Sequence, residues 1–201
     1  MNLVYVIKSN WSLKRIEEHL NKFGEEYRNL RVLYNHDREE TDMSIIMMRE
    51  KLYVSLREAP CRGFEISPFS IKEHHHPDPK YQDYSLYVPL PKSMHLKELR
   101  VRENIDKKLN SLVSFGLITG DCWYIEIPLL SRESGSAKNH CFIIFNSSVS
   151  KDTIVLVKSV IDDTYWEIDG LNKEKGEHIF HCYWNRFKSP KLLLKESEDI
   201  I

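Results

Sequence analysis

The stretch Lys138-Asn139-His140-Cys141-Phe142-Ile143-Ile144-Phe145 decides how this chain is read. His140 to Phe145 is expected to be a β-strand. Side chains alternate across a strand. Cys141, Ile143 and Phe145 are therefore expected to face a core, and His140, Phe142 and Ile144 to face the other way. An aromatic ring on the outward face of a sheet calls for a cover. A nucleobase is one such cover, because every base has a π-face that stacks on a ring.

Working outward, the strand falls inside a repeating order of elements. Upstream, Ser85 to Val88 is expected as a strand and Glu103 to Phe115 as a helix, with Ile105, Leu109, Leu112 and Val113 on one side and Gly116 closing it. Cys122 to Leu129 follows as a strand, and Ser131 to Lys138 as a polar hairpin. Downstream, Lys151 to Ile161 is expected as a helix and Glu177 to Trp184 as a last strand. Placing Phe180 and Cys182 inward on that strand turns His181 and Tyr183 outward. The N-terminal half has the same order. It reads as strand Leu3 to Ile7, a helix capped by Ser12 and stopped by Gly24, and strands Leu30 to Tyr34 and Met43 to Met48. Lys51 to Ala59 then fits either period, Pro60 to Gly63 breaks the chain, and Phe64 to Ile71 is a strand. The expected fold class is α+β, with two ferredoxin-like β-α-β-β-α-β units and antiparallel sheets. The expected domains are residues 1–73 and 83–188, joined by a polar, proline-containing linker over 74–82 and followed by a charged tail over 189–201.

The octet resembles the longer ribonucleoprotein motif of RNA recognition motif (RRM) domains, which runs basic, Gly, aromatic, small, aromatic, aliphatic, any, aromatic. Lys138 stands at the basic position, His140 and Phe142 at the stacking positions, Cys141 at the small position, and Ile143 and Phe145 at the core positions. Asn139 replaces the usual Gly, and His140 replaces a larger aromatic. Leu86-Tyr87-Val88 is similar to the family's shorter motif, with Tyr87 at its aromatic position. The likeness spans about Tyr84 to Phe187, with a long connection from Pro91 to Arg102. It implies that single-stranded RNA binds by stacking on Tyr87, His140, Phe142 and Tyr183, with Arg132 and Lys138 on phosphates. The first half is similar to a degenerate RRM. Tyr5 stands at the short-motif aromatic position, and Met43 and Ile45 stand where aromatics belong, which suits a protein partner.

Composition limits these readings. The 201 residues carry 29 basic and 30 acidic side chains, net −1, so the chain as a whole lacks the basic excess that drives binding by counterion release. RNA affinity would rest on a local patch and on stacking. Cys61, Cys122, Cys141 and Cys182 form no zinc spacing, and His74-His75-His76 reads as solvated linker. No P-loop, GxGxxG or GxSxG is present, so no cofactor, metal or catalytic residue is expected. No apolar run approaches ~20 residues, so no membrane contact is expected, and the expected compartment is cytoplasmic or nuclear. Two other classes compete with RNA binding. One is a ferredoxin-like RNA-processing endoribonuclease using His19, His36 or His181 as acid or base. The other is a protein-interaction scaffold with an occluded sheet.

Overall fold

The computed structural model describes residues 2–35, 38–70, 85–91, 96–168 and 178–185. The segment 74–82, His36, Arg186 and the tail from 189 lie outside the described residues. The chain divides into two compact units, residues 1–73 and 74–201.

The first unit runs β1 (Asn2–Ser9), α1 (Leu13–Asn21), β2 (Tyr27–Asn35), β3 (Glu40–Arg49), α2 (Glu50–Glu58), β4 (Phe64–Pro68). Its sheet has the order β2-β3-β1-β4, with every neighbour antiparallel. Helix α1 starts where the Ser12 hydroxyl accepts a hydrogen bond from the Arg15 amide at 3.3 Å, satisfying a donor that has no partner in the first turn. Ile16 and Leu20, four residues apart, enter the core from α1. The segment whose period was ambiguous is a helix because Leu52 and Leu56 share a buried face. Gly63 has φ +79, and a Cβ there would stand 2.2 Å from the Asn10 side chain, so the turn into β4 admits only glycine.

The second unit runs β5 (Leu86–Pro89), α3 (Glu98–Ser114), β6 (Trp123–Glu126), β7 (Leu129–Ser131), β8 (Ser136–Ala137), β9 (His140–Phe145), α4 (Lys151–Ile161), β10 (Thr164–Tyr165), β11 (Ile179–Phe180), β12 (Tyr183–Trp184). Its main sheet is ordered β12-β5-β9-β6. Numbered by their place in the β-α-β-β-α-β series, the strands of both sheets stand in the order 4-1-3-2. Each unit is thus an RRM-like, ferredoxin-like fold.

Three elements of this unit differ from expectation. Helix α3 begins at Glu98 rather than Glu103, because Val101 extends the buried stripe of Ile105, Leu109 and Leu112 back by one turn. The strand expected from Cys122 to Leu129 divides into β6 and β7 around Pro128, which has no amide hydrogen to donate to a ladder. The expected last strand is also divided. β11 pairs with β10, and only β12 joins the main sheet. Between them the Asp162 carboxylate, just past α4, accepts the Cys182 amide at 3.0 Å.

Candidate nucleic-acid interface

Residues directly opposite one another on paired strands lie on the same side of a sheet. In the second unit Tyr183 stands opposite Tyr87, Tyr87 opposite Phe142, and Phe142 opposite Glu126. One row of side chains therefore crosses all four strands on one face. His140, opposite Pro89, belongs to the same face. The other side carries Leu86, Val88, Cys141, Ile143 and Ile125, all buried. It is the helix side, since Trp123, paired with Phe145, donates its indole N–H to Asp106 of α3 at 3.0 Å.

Three of the rings touch. Tyr87 stacks on His140 with centroids 5.6 Å apart and planes at 26°. Phe142 meets Tyr87 edge-on at 5.8 Å and His140 edge-on at 5.4 Å. Exposure falls along the row, from 54 % at Tyr183, through half-buried Tyr87, to 7 % at Phe142. The expected open ring at Phe142 is thus corrected. It occupies a central strand, with two aromatic neighbours against it, and Ile144 on the same face is also buried. The accessible aromatic surface of this face lies instead on Tyr87 and Tyr183, toward β5 and β12, and on half-buried Tyr124, which stands opposite Ile144 on β6. Burial, and then the Lys138 charge, lower the His140 pKa below the ordinary histidine value, so its ring favours the neutral form, which presents a flat uncharged surface.

Arg132 and Lys138 are exposed around the β7–β8 hairpin. The Lys138 amide donates to Pro128 O at 2.7 Å, which anchors the backbone there while its side chain stays in solvent. Sequence reasoning missed Glu126. Nothing in its local context marks it, and only the β6–β9 register puts a carboxylate at the end of the aromatic row. It also missed a pairing at His181, whose Nδ1 lies 3.7 Å from Asp162 Oδ1. Burial alone would raise the Asp162 pKa, but hydrogen bonds from Lys158 and the Cys182 amide, with the nearby charges of Lys158 and His181, hold it below the ordinary carboxylate value.

In the first unit Tyr5 does not occupy the outer face expected for it. Only 2 % of it is exposed, and its ring stacks on Tyr53 of α2 at 4.5 Å, so it is a core residue. Strand β1 is apolar on both sides, and alternation alone could not say which set faces the helices. The outer face instead carries Val4, Val6, Met43, Ile45 and Met47. His19 is packed edge-on against Trp11, Phe23 and Phe64 at 5.1–5.6 Å, and burial, with Lys22 and Arg15, lowers its pKa. Among the described residues no cluster of His, Cys, Asp and Glu is placed to hold a metal, and no helix is long and apolar enough to cross a membrane.

No protein-family model and no curated protein sequence matches the chain. Solved structures give broad, loose overlaps. A sex-lethal protein–RNA complex aligns at 10 % identity and TM-score 0.32, covering 92 % of this chain and 100 % of that one. The three N-terminal RNA-binding domains of the yeast splicing factor Prp24 align at 10 % identity and TM-score 0.32, covering 92 % of this chain and 68 % of that one. A Cas6 substrate-mimic complex aligns at 11 % identity and TM-score 0.29, covering 90 % and 98 %. The fold assignment rests on the strand order within each unit.

Proposed function

We propose that the protein binds single-stranded RNA on the outer face of the second unit's sheet. The observation that carries this reading is the cross-strand row Tyr183–Tyr87–Phe142, flanked by His140, on the side of the sheet away from α3. Exposed Tyr183 and half-buried Tyr87 offer faces for two bases, with Phe142 and His140 holding the Tyr87 ring in place. Arg132 and Lys138 supply phosphate contacts beside the platform. No reactive group is required for this activity, and the reading is of a binding module rather than an enzyme. Ultraviolet crosslinking to RNA, with the linked peptides identified, tests it. Links on the Tyr87 and Tyr183 peptides support it, and links confined to other segments overturn it.

A second reading is favoured by one contact. His181, beside Tyr183 and within 3.7 Å of Asp162, could act as a base on a ribose 2′-hydroxyl. Single-turnover incubation with RNA and with its 2′-deoxy analogue separates the two. Cleavage of RNA alone, lost in His181→Ala, would establish an endoribonuclease, and intact RNA retained in a complex keeps the binding reading.

A further inference from the structure

Stacking alone does not choose between the two kinds of single strand. Every base has a π-face, so the row Tyr183–Tyr87–Phe142 receives deoxyribonucleotides as readily as ribonucleotides. The 2′-hydroxyl is what separates them. One side chain at the end of the row is placed to meet that group. His181 lies between β11 and β12, half-exposed, with its ring 6.3 Å from that of Tyr183, the most open ring of the row. A base lying on Tyr183 carries its ribose beside the ring rather than over it, and His181 stands beside that ring.

The imidazole faces a fixed carboxylate. Its Nδ1 lies 3.7 Å from Asp162 Oδ1, a distance at which the pull is electrostatic. Asp162 is itself anchored. Its Oδ1 accepts the amides of Cys182 at 3.0 Å and Asp163 at 3.1 Å, and its Oδ2 accepts from Lys158 Nζ at 2.8 Å. A neutral imidazole donates from one nitrogen and accepts at the other. The carboxylate favours the proton on Nδ1, which leaves Nε2 as the acceptor. Among the described residues Nε2 has no hydrogen-bond partner. The charge of this corner narrows the choice of group further. Asp162 faces the imidazole, Asp163 follows it in the chain, and Lys158 is already bonded to Asp162. A phosphate would be repelled here, whereas an uncharged hydroxyl with a hydrogen to donate would not.

We propose that His181 accepts at Nε2 a hydrogen bond from the 2′-hydroxyl of the nucleotide whose base lies on Tyr183, so that this corner makes the sheet prefer RNA to DNA. The inference rests on the RNA-binding reading and deepens it, using a side chain outside the stacking row. It differs from the cleavage reading in that the hydroxyl keeps its proton and no covalent bond breaks.

The test compares three fluorescein-labelled oligomers that share one base, poly-uridine, poly-deoxyuridine and its 2′-fluoro analogue, binding to the full chain at about pH 8, where an unperturbed imidazole is neutral. The fluoro sugar keeps a ribose-like pucker but has no hydrogen to donate. The parent is expected to bind poly-uridine about fivefold more tightly than the other two, the worth of one net hydrogen bond. His181→Phe keeps a ring and loses the acceptor. It is expected to bind all three alike, with unchanged circular dichroism. Tyr87→Ala should weaken all three by a common factor and keep the ratio. A parent that binds poly-uridine and poly-deoxyuridine equally overturns this inference and leaves the stacking reading standing. A 2′-fluoro oligomer that binds like poly-uridine also overturns it, since pucker and not the hydroxyl would then be read. So does a ratio that survives in His181→Phe. Poly-uridine cut by the parent and left whole by His181→Phe overturns it in favour of cleavage. A ratio lost in His181→Phe, beside a Tyr87→Ala variant that binds like the parent, supports this inference and overturns stacking at Tyr87. Should His181→Phe fail to fold, His181→Ala is read in its place with the same expectation. A parent that binds none of the three overturns both.

Discussion

The two units share one strand order and differ on the face that order leaves away from the helices. In the second unit that face carries a row of aromatics ending in exposed Tyr183. In the first its central strands carry Val4, Val6, Met43, Ile45 and Met47 among the charged side chains Lys8, Arg28, Arg31, Arg49 and Glu65, with Phe69 beside Val4 at the β4 edge, while the unit's one β1 aromatic, Tyr5, turns inward onto Tyr53. The helix sides are alike in kind: both are buried and apolar under two helices, with Tyr5, Ile7, Ile46 and Met48 in the first and Leu86, Val88, Cys141 and Ile143 in the second. The comparison teaches that the helix-facing half of each strand defines the fold, and that the other half is free to diverge. A β-α-β-β-α-β unit can keep its topology while one sheet presents π-faces and another presents charge.

The strongest way to break the comparison is through the cores. Phe145, buried on the helix side of β9, should destabilise the second unit by ~3–5 kcal/mol when replaced by Ala, through lost burial and the cavity left behind. Thermal unfolding followed by NMR should show the first unit's resonances still native after the second unit's have melted. Simultaneous loss of both would mean that the halves are one cooperative domain. The halves are proposed to be joined over 74–82, so limited proteolysis should cut there first.

The next effect sharpens the contrast between faces. Tyr87→Ala should weaken RNA binding by ~1–3 kcal/mol and leave the fold intact. Tyr5→Ala, at the equivalent strand of the first unit, should do the reverse, lowering stability with binding nearly unchanged at temperatures where the unit is folded. Equal binding losses in the two would show that the second unit's row has no special part in recognition.

Smaller still are the caps. Ser12 and Ser150 each accept an amide hydrogen bond at the start of α1 and α4, from Arg15 and Thr153. Ser12→Ala and Ser150→Ala should each cost about 1 kcal/mol in denaturant titrations, one in each unit. The least effect is that of pH. His19 in the first unit and His140 in the second both have pKa values lowered by burial and neighbouring cations. Below pH ~6.5 the unfolded chain takes up these protons before the folded one does. Their contribution is therefore full above that pH and is lost as pH falls toward the folded values. The unfolding midpoint of each unit should fall modestly on acidification, and His19→Phe should flatten the first unit's profile alone.

The sequence by itself determined most of the element order, leaving open whether 51–59 is helix or strand and missing the division of two strands in the second half. Apolar periodicity located α1 and α4, Ser12 marked the start of α1, and Gly24 and Gly116 marked the ends of α1 and α3, because those signals are local. It also determined that Tyr87, His140 and Phe142 would come together, since a motif of alternating residues on adjacent strands needs only the 4-1-3-2 order to assemble. Tertiary structure alone decided three things. It decided that Phe142 is enclosed while Tyr183 is open, because burial depends on what packs across strands far apart in sequence. It decided which side of β1 faces the helices, because Leu3, Tyr5 and Ile7 are as apolar as Val4 and Val6, and only the partner Tyr53 breaks the tie. It decided that Lys8, Arg28, Arg31 and Arg49 share one face. They come from three strands, and a net charge sums over the chain without regard to direction, whereas register puts each charge on a side.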